Sequence, residues 1–418
     1  MNTSKSRDDL IAICKTQGIK GYSGKKKEDI LSLITAKLSL APVLPVLPVL
    51  TPSSTDPFIY QTMLTCIGNK RKLVKNIHAI IEELATNLGK PRLNIVDGFA
   101  GSSVVSRDLS YLADHLYTND LELYSYLMAK CYLDTPTLSQ QAQIKHHIDT
   151  MNALAETGPF MTDGIIARLY APQETENIKK GERCFYTREN ALIIDTLRRY
   201  IEDHVEKELA VYCLVPLLNK ASINTNTAGV FKGFYKKDDI GCFGGKGEFA
   251  LSRIKKPISL DLPIWQQGGY TAHCSNKDIN VLVQELPADI DVMYLDPPYN
   301  QHPYGSNYFM LNVIAKNEEP KDLSDVSGIP KDWNKSNYNK RASAIEAMKN
   351  LLANGLKKAK YLLISYNNEG IITDADFKEL YSGYTVKKYE IKYDTFKGCR
   401  NLKERSDKVV EIMYLISA

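Results

Sequence analysis

The run Asp-Pro-Pro-Tyr at residues 296–299 directly follows the apolar segment D-V-M-Y-L at 291–295. Proline fixes φ and lacks an N–H, so these two prolines hold their neighbours in set directions and leave a carbonyl without a ladder partner. Asp296 and the Pro297 carbonyl then offer rigid hydrogen-bond acceptors beside the flat face of Tyr299. This combination suits a planar ring that bears an amino group, because the acceptors favour positive charge on the nitrogen as it attacks an electrophile.

A second candidate site follows another apolar segment. R-L-N-I-V at 92–96 predicts a strand that runs into D-G-F-A-G-S-S at 97–103, where glycines allow close approach of backbone to a ligand. The G-x-G-x-x-G fingerprint is missing, which disfavours a nicotinamide cofactor. Asp120 lies just past a predicted strand at 115–118. An acid there can accept hydrogen bonds from ribose hydroxyls, or it can cap the next helix.

The elements that carry these motifs alternate between short apolar strands and helices, which predicts an α/β fold. Further strands are expected at 291–295, 361–366, 384–393 and 408–416. Residues 135–267 interrupt the alternation with polar helices and a glycine-rich, aromatic, basic segment. We therefore predict one nucleotide-binding-type sheet, built from 58–134 and 268–418, that carries 135–267 as a mainly helical insertion.

The amino-terminal part is predicted to be a separate small module. In residues 1–38, two amphipathic helical patterns flank a glycine-rich turn that ends in Lys25, Lys26 and Lys27. This pattern resembles a SAP domain, a short DNA-binding module, whose lysines would meet phosphates; a protein-docking hairpin is the alternative. Residues 39–57 repeat proline at every third position, which predicts an extended spacer.

Composition places the chain among ordinary globular proteins, with 44% hydrophobic and 24% charged residues and a net charge of +4. No apolar run approaches the roughly 20 residues that a membrane span needs, and the amino terminus lacks a secretory signal. The eight cysteines are scattered singly, so neither a metal site nor a disulfide framework is predicted. These features suggest a cytoplasmic protein with reduced thiols.

The motifs together, and their order, resemble the Dam-like DNA adenine methylases of the D12 class. The resemblance covers about residues 58–418 and adds T-C-I-G-N-K-R-K-L-V at 65–74 and N-K-D-I at 276–279. It implies a Rossmann-like class I fold that depends on S-adenosylmethionine. The catalytic residues that it implies are Asp296, Pro297, Pro298 and Tyr299. The cofactor-binding residues that it implies are Cys66, Lys70, Asp97, Phe99, Gly101, Asp120, Asp278 and Asp296.

Two positions depart from the family pattern: Cys66 stands where an aromatic residue is common, and Ser103 replaces the last glycine of the loop. The resemblance makes the insertion a target-recognition region, although a helical cap without sequence reading is the alternative. Amides, aromatics and lysines in 219–237 suit base edges and phosphates, and 302–315 resembles a segment that follows the catalytic loop in related enzymes. The predicted DNA contacts are Lys25, Lys26, Lys27, Asn224, Asn226, Lys232, Lys236, Lys237, Tyr304, Asn307 and Tyr308.

The resemblance implies transfer of a methyl group to adenine N6 in duplex DNA, with the base flipped out and without metal or covalent intermediate. Duplex DNA is the expected partner, and a restriction endonuclease acting on the same site is a candidate partner. Such a methylase would act on DNA in the cytoplasm of a bacterium or for a virus. Methylation of cytosine N4, or of an RNA or protein amine, needs a similar pocket. A DNA-binding protein with an inactive methylase-like body is the alternative from another class.

Overall fold

A mostly parallel sheet of eight strands organises the protein. The structure, a computed structural model, describes residues 6–16, 20–39, 46–47, 56–61, 64, 66–266, 268–394 and 408–418. The strands are β1 (Val46–Leu47), β2 (Leu93–Asp97), β3 (Ala113–Asn119), β4 (Lys236–Lys237), β5 (Ile240–Gly241), β6 (Thr271–Ser275), β7 (Ile290–Leu295), β8 (Ala359–Asn367), β9 (Thr385–Asp394) and β10 (Lys408–Ser417). The helices are α1 (Arg7–Thr16), α2 (Lys27–Ser39), α3 (Pro57–Tyr60), α4 (Val74–Leu88), α5 (Val104–Leu109), α6 (Leu123–Leu133), α7 (Leu138–Thr157), α8 (Ile165–Leu169), α9 (Arg188–His204), α10 (Ala210–Ile223), α11 (Leu251–Lys255), α12 (Ile279–Glu285), α13 (Tyr304–Asn307), α14 (Phe309–Lys316), α15 (Arg341–Gly355) and α16 (Asp374–Leu380).

The order of strands across the sheet is β1-β9-β10-β8-β7-β2-β3-β6. Strands β8, β7, β2, β3 and β6 pair in parallel, whereas β10 runs antiparallel to both β8 and β9. Every residue of β7 is buried, as is typical of a parallel strand covered on both faces. The arrangement confirms the predicted Rossmann-like α/β fold.

Helices cover both faces of the sheet. Ile77 of α4 and Met128 of α6 belong to one apolar core, and Val283 of α12 and Leu351 of α15 belong to another. From β2 the chain continues to β3 and β6 on one side, while β7 and β8 lie on the other. A crevice opens at such a reversal of strand order, at the carboxyl ends of the strands.

The segment predicted as an insertion folds mainly as helices. Ile148 of α7, Ile194 of α9 and Leu217 of α10 join the same apolar core as α4 and α6. The described part of 135–267 contributes the β4–β5 hairpin but no strand to the central sheet. The limits of the insertion stay a prediction, because its helices and the sheet share one core.

The amino-terminal helices α1 and α2 pack on each other through a small core of Leu10, Cys14 and Ile30. These helices agree with the two helical patterns in the sequence, while the likeness to a SAP domain stays a prediction. Most of the predicted spacer 39–57 lies outside the described residues.

The described ranges have no cluster of metal-ligating side chains and no helix suited to a membrane. There, no group of three or more His, Cys, Asp or Glu side chains is placed to hold a metal ion. None of the helices described is both long and apolar enough to cross a membrane.

Candidate active site

A cleft with about 940 Å³ of empty space opens at the carboxyl ends of β2, β3 and β7. Its walls come from residues 66–70, 99–102, 104–105, 119–122, 124–125, 277–279, 334, 336 and 338–339, together with Tyr294, Asp296, Pro298 and Tyr304. The tertiary structure thus brings the five predicted motifs to one place.

The turn after β2 requires unusual backbone conformations. Gly101 has a φ of +53°, and its N–H donates to Asp120 Oδ2 at 2.8 Å. Ser103, which replaces a glycine of the family pattern, is buried and also has a positive φ of +61°. Residues other than glycine rarely adopt this conformation. The serine therefore preserves the path of the glycine turn at the start of α5.

Two of the predicted acids line the cleft at the ends of neighbouring strands. Asp120 follows β3 and also accepts from the N–H of Glu122 at 2.9 Å, so its carboxylate joins two loops. Burial raises the pKa of Asp120 to about 6, while hydrogen bonds from backbone N–H groups oppose this rise. Asp278 precedes α12 and caps it by accepting from Asn280 N–H at 2.8 Å. The cap of α6 is Glu122, so Asp120 is not a helix cap.

Three other residues predicted at the cofactor differ in their exposure to the cleft. Phe99 lines it, with its ring edge-to-face to Tyr338 at 5.3 Å between centroids. Cys66 also lines it, and burial raises the pKa of its thiol to about 12. Asp97 is fully buried behind the turn and accepts from Ser106 Oγ at 2.6 Å. The prediction that Asp97 contacts the cofactor is corrected: its side chain supports the turn from behind the cleft wall.

Lys70 joins the cleft to two buried carboxylates. Its Nζ lies 2.7 Å from Asp296 Oδ1 and 3.2 Å from Glu411 Oε1, and its remaining contact is the Gly68 carbonyl at 3.4 Å. Burial lowers the pKa of Lys70, but the two carboxylates outweigh burial and raise it well above its usual value. The ammonium therefore stays charged, and its hydrogens are directed at groups of this chain.

Asp296 keeps one oxygen for the cleft. Its Oδ1 is paired with Lys70, whereas Oδ2 receives no hydrogen bond from the described residues, and the side chain is 17% exposed. Burial raises the pKa of Asp296 to about 6, against the lowering effect of the Lys70 charge. At neutral pH the carboxylate is ionised and presents a free acceptor.

Tyr299 follows Asp296 in the same loop and is held by its neighbours. Its ring meets Tyr366 edge-to-face at 6.4 Å, and its carbonyl accepts from Ile371 N–H at 2.9 Å. Gly68 has a φ of +77°, and a Cβ at this position would lie 3.0 Å from Tyr304 Oη and 3.6 Å from the Tyr299 ring. Glycine at 68 therefore lets the backbone pass close to both tyrosines.

Residues just after the catalytic loop hold the segment at 66–68. Tyr304 Oη donates to the Ile67 carbonyl, and Tyr308 Oη accepts from Ile67 N–H, both at 2.7 Å. Tyr308 and Asn307 are buried. The prediction that Tyr308 and Asn307 contact DNA is therefore corrected, because their side chains are enclosed by the protein. A DNA contact of Tyr304, which lines the cleft, stays a prediction.

The predicted DNA contacts of the insertion divide into two groups. Lys232, Lys236 and Lys237 are exposed, the last two on the β4–β5 hairpin. Asn224 and Asn226 are buried, with amides that donate to carbonyl oxygens of their own segment. The prediction that these asparagines read base edges is corrected, because buried backbone carbonyls need donors inside the protein and these amides supply them. Lys25, Lys26 and Lys27 are exposed, as a phosphate contact requires.

Several residues in the cleft wall or directly behind it escaped the sequence prediction. Glu411 is 1% exposed, and Glu122 is buried beside Asp120, where burial raises its pKa to about 7. Tyr338 and Asn339 reach the cleft from the loop between α14 and α15. The signal for Glu411 was available, since a single carboxylate interrupts an apolar strand pattern. No local pattern distinguished the others.

Most of the chain matches one known protein family. The model of the D12 class N6 adenine-specific DNA methyltransferase family matches residues 67–395. This stretch includes the cleft residues from Ile67 through Asn339. Glu411 lies beyond it.

Three individual proteins each match about three quarters or more of this chain. The type II methyltransferase M.CviAII of Paramecium bursaria Chlorella virus 1 is 28% identical over 76% of this chain and 87% of its own length. The type II methyltransferase M.NlaIII of Neisseria lactamica is 25% identical over 84% of this chain and 98% of its own. The modification methylase StsI of Streptococcus sanguinis is 29% identical over 77% of this chain and 46% of its own.

Proposed function

The chain belongs to the family of D12 class N6 adenine-specific DNA methyltransferases, and on this premise we propose how its cleft performs methyl transfer. The protein is a site-specific DNA adenine methyltransferase. We propose that the cleft holds S-adenosylmethionine and that a flipped-out adenine enters beside Asp296 and Tyr299. The observation that carries the proposal is the free oxygen of Asp296 at the wall of the cleft, three residues before Tyr299 in the same loop.

The residues of the cleft fit S-adenosylmethionine. Asp120 and Asp278 are acceptors at the ends of adjacent strands, suited to ribose hydroxyls and to an adenine amine respectively. Phe99 offers a ring face or edge. Gly101 leaves open space, since a Cβ there would meet no atom within 4 Å. Bound S-adenosylmethionine supplies a methyl group that is activated by a positively charged sulfur.

The role that we propose for Lys70 differs from that of a residue that only binds the cofactor. The resemblance implies that the lysine of this motif lies at the cofactor, and Lys70 does line the cleft. Its ammonium, however, already forms ion pairs with Asp296 and Glu411. We therefore propose that Lys70 acts mainly by orienting Asp296.

The pocket for the target base follows from the catalytic loop. Asp296 Oδ2 and the Pro297 carbonyl accept the two protons of the adenine amine, and Tyr299 stacks on the ring. An exocyclic amine is a poor nucleophile because its lone pair is delocalised into the ring. Acceptors on its protons stabilise the positive charge that develops on nitrogen.

DNA is proposed to contact the exposed lysines. Lys236 and Lys237 extend on the β4–β5 hairpin and Lys232 precedes it, so all three suit phosphates. Lys25, Lys26 and Lys27 add a second basic group on the amino-terminal module. Because the relatives include type II methyltransferases, a restriction endonuclease that cuts the same site is the proposed biological partner.

One experiment tests the function as a whole. The purified protein is incubated with S-adenosylmethionine and unmethylated plasmid, and the digested nucleosides are separated by mass spectrometry. N6-methyladenine is expected, and long-read sequencing of the same DNA gives the modified motif. N4-methylcytosine, or an absence of any modified base, contradicts the proposal, and calorimetry with S-adenosylmethionine shows whether the cofactor binds.

A further inference from the structure

Glu411 is a carboxylate in an apolar environment. It lies in β10, the strand that runs antiparallel between β8 and β9, and it is 1% exposed. Its neighbours along the strand include Ile412 and Met413. Burial of an ionised carboxylate is costly unless charged or hydrogen-bonded partners compensate it. Such a residue therefore needs a specific reason to be in the middle of a sheet.

The partners of Glu411 connect it to the catalytic loop. Its Oε1 accepts from Ser365 Oγ at 2.5 Å and lies 3.2 Å from Lys70 Nζ. Ser365 is in β8, directly opposite Met413 in the sheet, so two paired strands fix the position of this oxygen. Lys70 in turn lies 2.7 Å from Asp296 Oδ1. A chain of contacts thus runs from the reversed strand to the residue that accepts the target amine.

Glu411 acts on Asp296 as well as on Lys70. The ammonium of Lys70 lies between the carboxylates of Asp296 and Glu411. The charge of Glu411 raises the pKa of Asp296, so it favours positive charge near Asp296, in surroundings where charge interactions are stronger than in water.

We propose that Glu411 is a positioning residue for methyl transfer: it holds Lys70 against Asp296 and places a second carboxylate behind this pair, which favours positive charge on the adenine amine. The inference rests on the proposed function and deepens it. Glu411 does not itself line the cleft. Its effect reaches the substrate only through Lys70 and Asp296.

The test compares three variants of the full-length protein. Glu411→Gln keeps an oxygen for Lys70 but removes the charge, Ser365→Ala removes the hydroxyl that holds Glu411, and Glu346→Gln changes an exposed acid on α15 as control. We expect Glu411→Gln to lower kcat on the order of tenfold to a hundredfold. Affinity for S-adenosylmethionine, measured by calorimetry, should change by less than about threefold. Ser365→Ala should give a smaller loss of kcat, and the control should give none.

A second readout does not depend on catalysis. The charge of Glu411 raises the pKa of Asp296, so its removal should shift the ionisation of Asp296 to lower pH. Carbon-13 NMR of aspartate-labelled protein, with Asp296→Asn to assign the signal, measures this shift. A purely structural role of Glu411 would leave this ionisation where it is.

Each outcome decides the proposal. Wild-type kcat and an unchanged Asp296 ionisation in Glu411→Gln overturn it, and so does a loss confined to affinity for S-adenosylmethionine. If Glu411→Gln does not fold, as circular dichroism would show, Ser365→Ala decides by kcat: because this variant keeps the charge of Glu411 and loses only the hydrogen bond that fixes its position, a wild-type kcat overturns the proposal. A wild-type protein that binds no S-adenosylmethionine or methylates no adenine refutes the proposed function instead, which separates the two failures.

Discussion

At the scale of the residue, Asp296 divides its two oxygens between the protein and the cleft. Because Lys70 keeps Glu411 when Asp296 is removed, its ammonium stays paired. We therefore expect Asp296→Ala to fold and to bind S-adenosylmethionine within about fivefold of wild type. Its kcat should fall on the order of 10³-fold, since a buried group that stabilises developing charge is lost. Steady-state kinetics and calorimetry measure the two effects.

A matched carboxylate of the same cleft serves as control for that prediction. Asp278→Ala should weaken the binding of S-adenosylmethionine and change kcat at saturation much less. It also removes the cap of α12, so its stability should fall by about 1 kcal/mol. Equal effects of both substitutions on kcat and on affinity would contradict the separate roles assigned to them.

The same carboxylate predicts the pH dependence of the reaction. Asp296 accepts hydrogen bonds from the amine when it is ionised, and its pKa is raised by burial to about 6. Protonation at lower pH turns this acceptor into a donor. We expect kcat to be low below pH 6 and to rise as the pH increases through about 6. A kcat that stays constant between pH 5 and 8 would contradict a role for the ionised form.

At the scale of the element, the turn at 66–70 depends on the glycine at its centre. Gly68→Ala places a Cβ against Tyr304 and Tyr299 in a left-handed conformation. Gly89, at the carboxyl end of α4, also has a positive φ, of +62°, but a Cβ added there would meet no atom within 4 Å. Gly89→Ala is therefore the matched control. Both should lose about 1 kcal/mol of stability, measured by denaturant unfolding. Only Gly68→Ala should also lose about tenfold or more in kcat, and equal activity of the two variants would contradict this.

The β4–β5 hairpin carries a prediction about DNA affinity. Removing two phosphate contacts weakens binding to any DNA sequence and lowers the slope of log affinity against log salt by about 1 per contact. We expect this of the double variant Lys236→Ala, Lys237→Ala in binding titrations at several salt concentrations. Lys357→Ala is the control, because Lys357 is exposed just before β8. It thus lies at the amino end of that strand, whereas the cleft opens at the carboxyl ends of the parallel strands. A salt slope equal to wild type would exclude phosphate contacts of the hairpin.

At the scale of the whole molecule, the amino-terminal module and the methyltransferase body have separate cores. Deletion of residues 1–39 removes the core of Leu10, Cys14 and Ile30 but no residue of the cleft. We expect weaker DNA binding with a flatter salt dependence and an unchanged kcat at saturating DNA. The full chain with Lys25, Lys26 and Lys27 changed to glutamine should show the same loss. If both proteins keep the wild-type dependence of DNA affinity on salt, the amino-terminal module does not contact DNA phosphates.

Strand prediction across the whole chain succeeded where strands are apolar and failed at the edge of the sheet. The segments at 291–295 and 361–366 appear as β7 and β8, since buried parallel strands carry continuous apolar runs. Strand β6, with the sequence T-A-H-C-S, was not predicted. Its polar residues have no strand pattern of their own, and only pairing with β3 places it in the sheet.

The order of motifs and the types of residue by themselves determined the fold class, the family and the motifs whose residues meet in the cleft. These follow from local patterns: apolar periodicity, glycines at turns, and an acid followed by prolines and an aromatic ring. Only the tertiary structure decided which groups face one another. It buried Asn224 and Asn226, moved Asp97 behind the cleft wall, and joined Lys70 and Asp296 to Glu411. Burial and the pairing of charges depend on segments far apart in the chain, which no local pattern records.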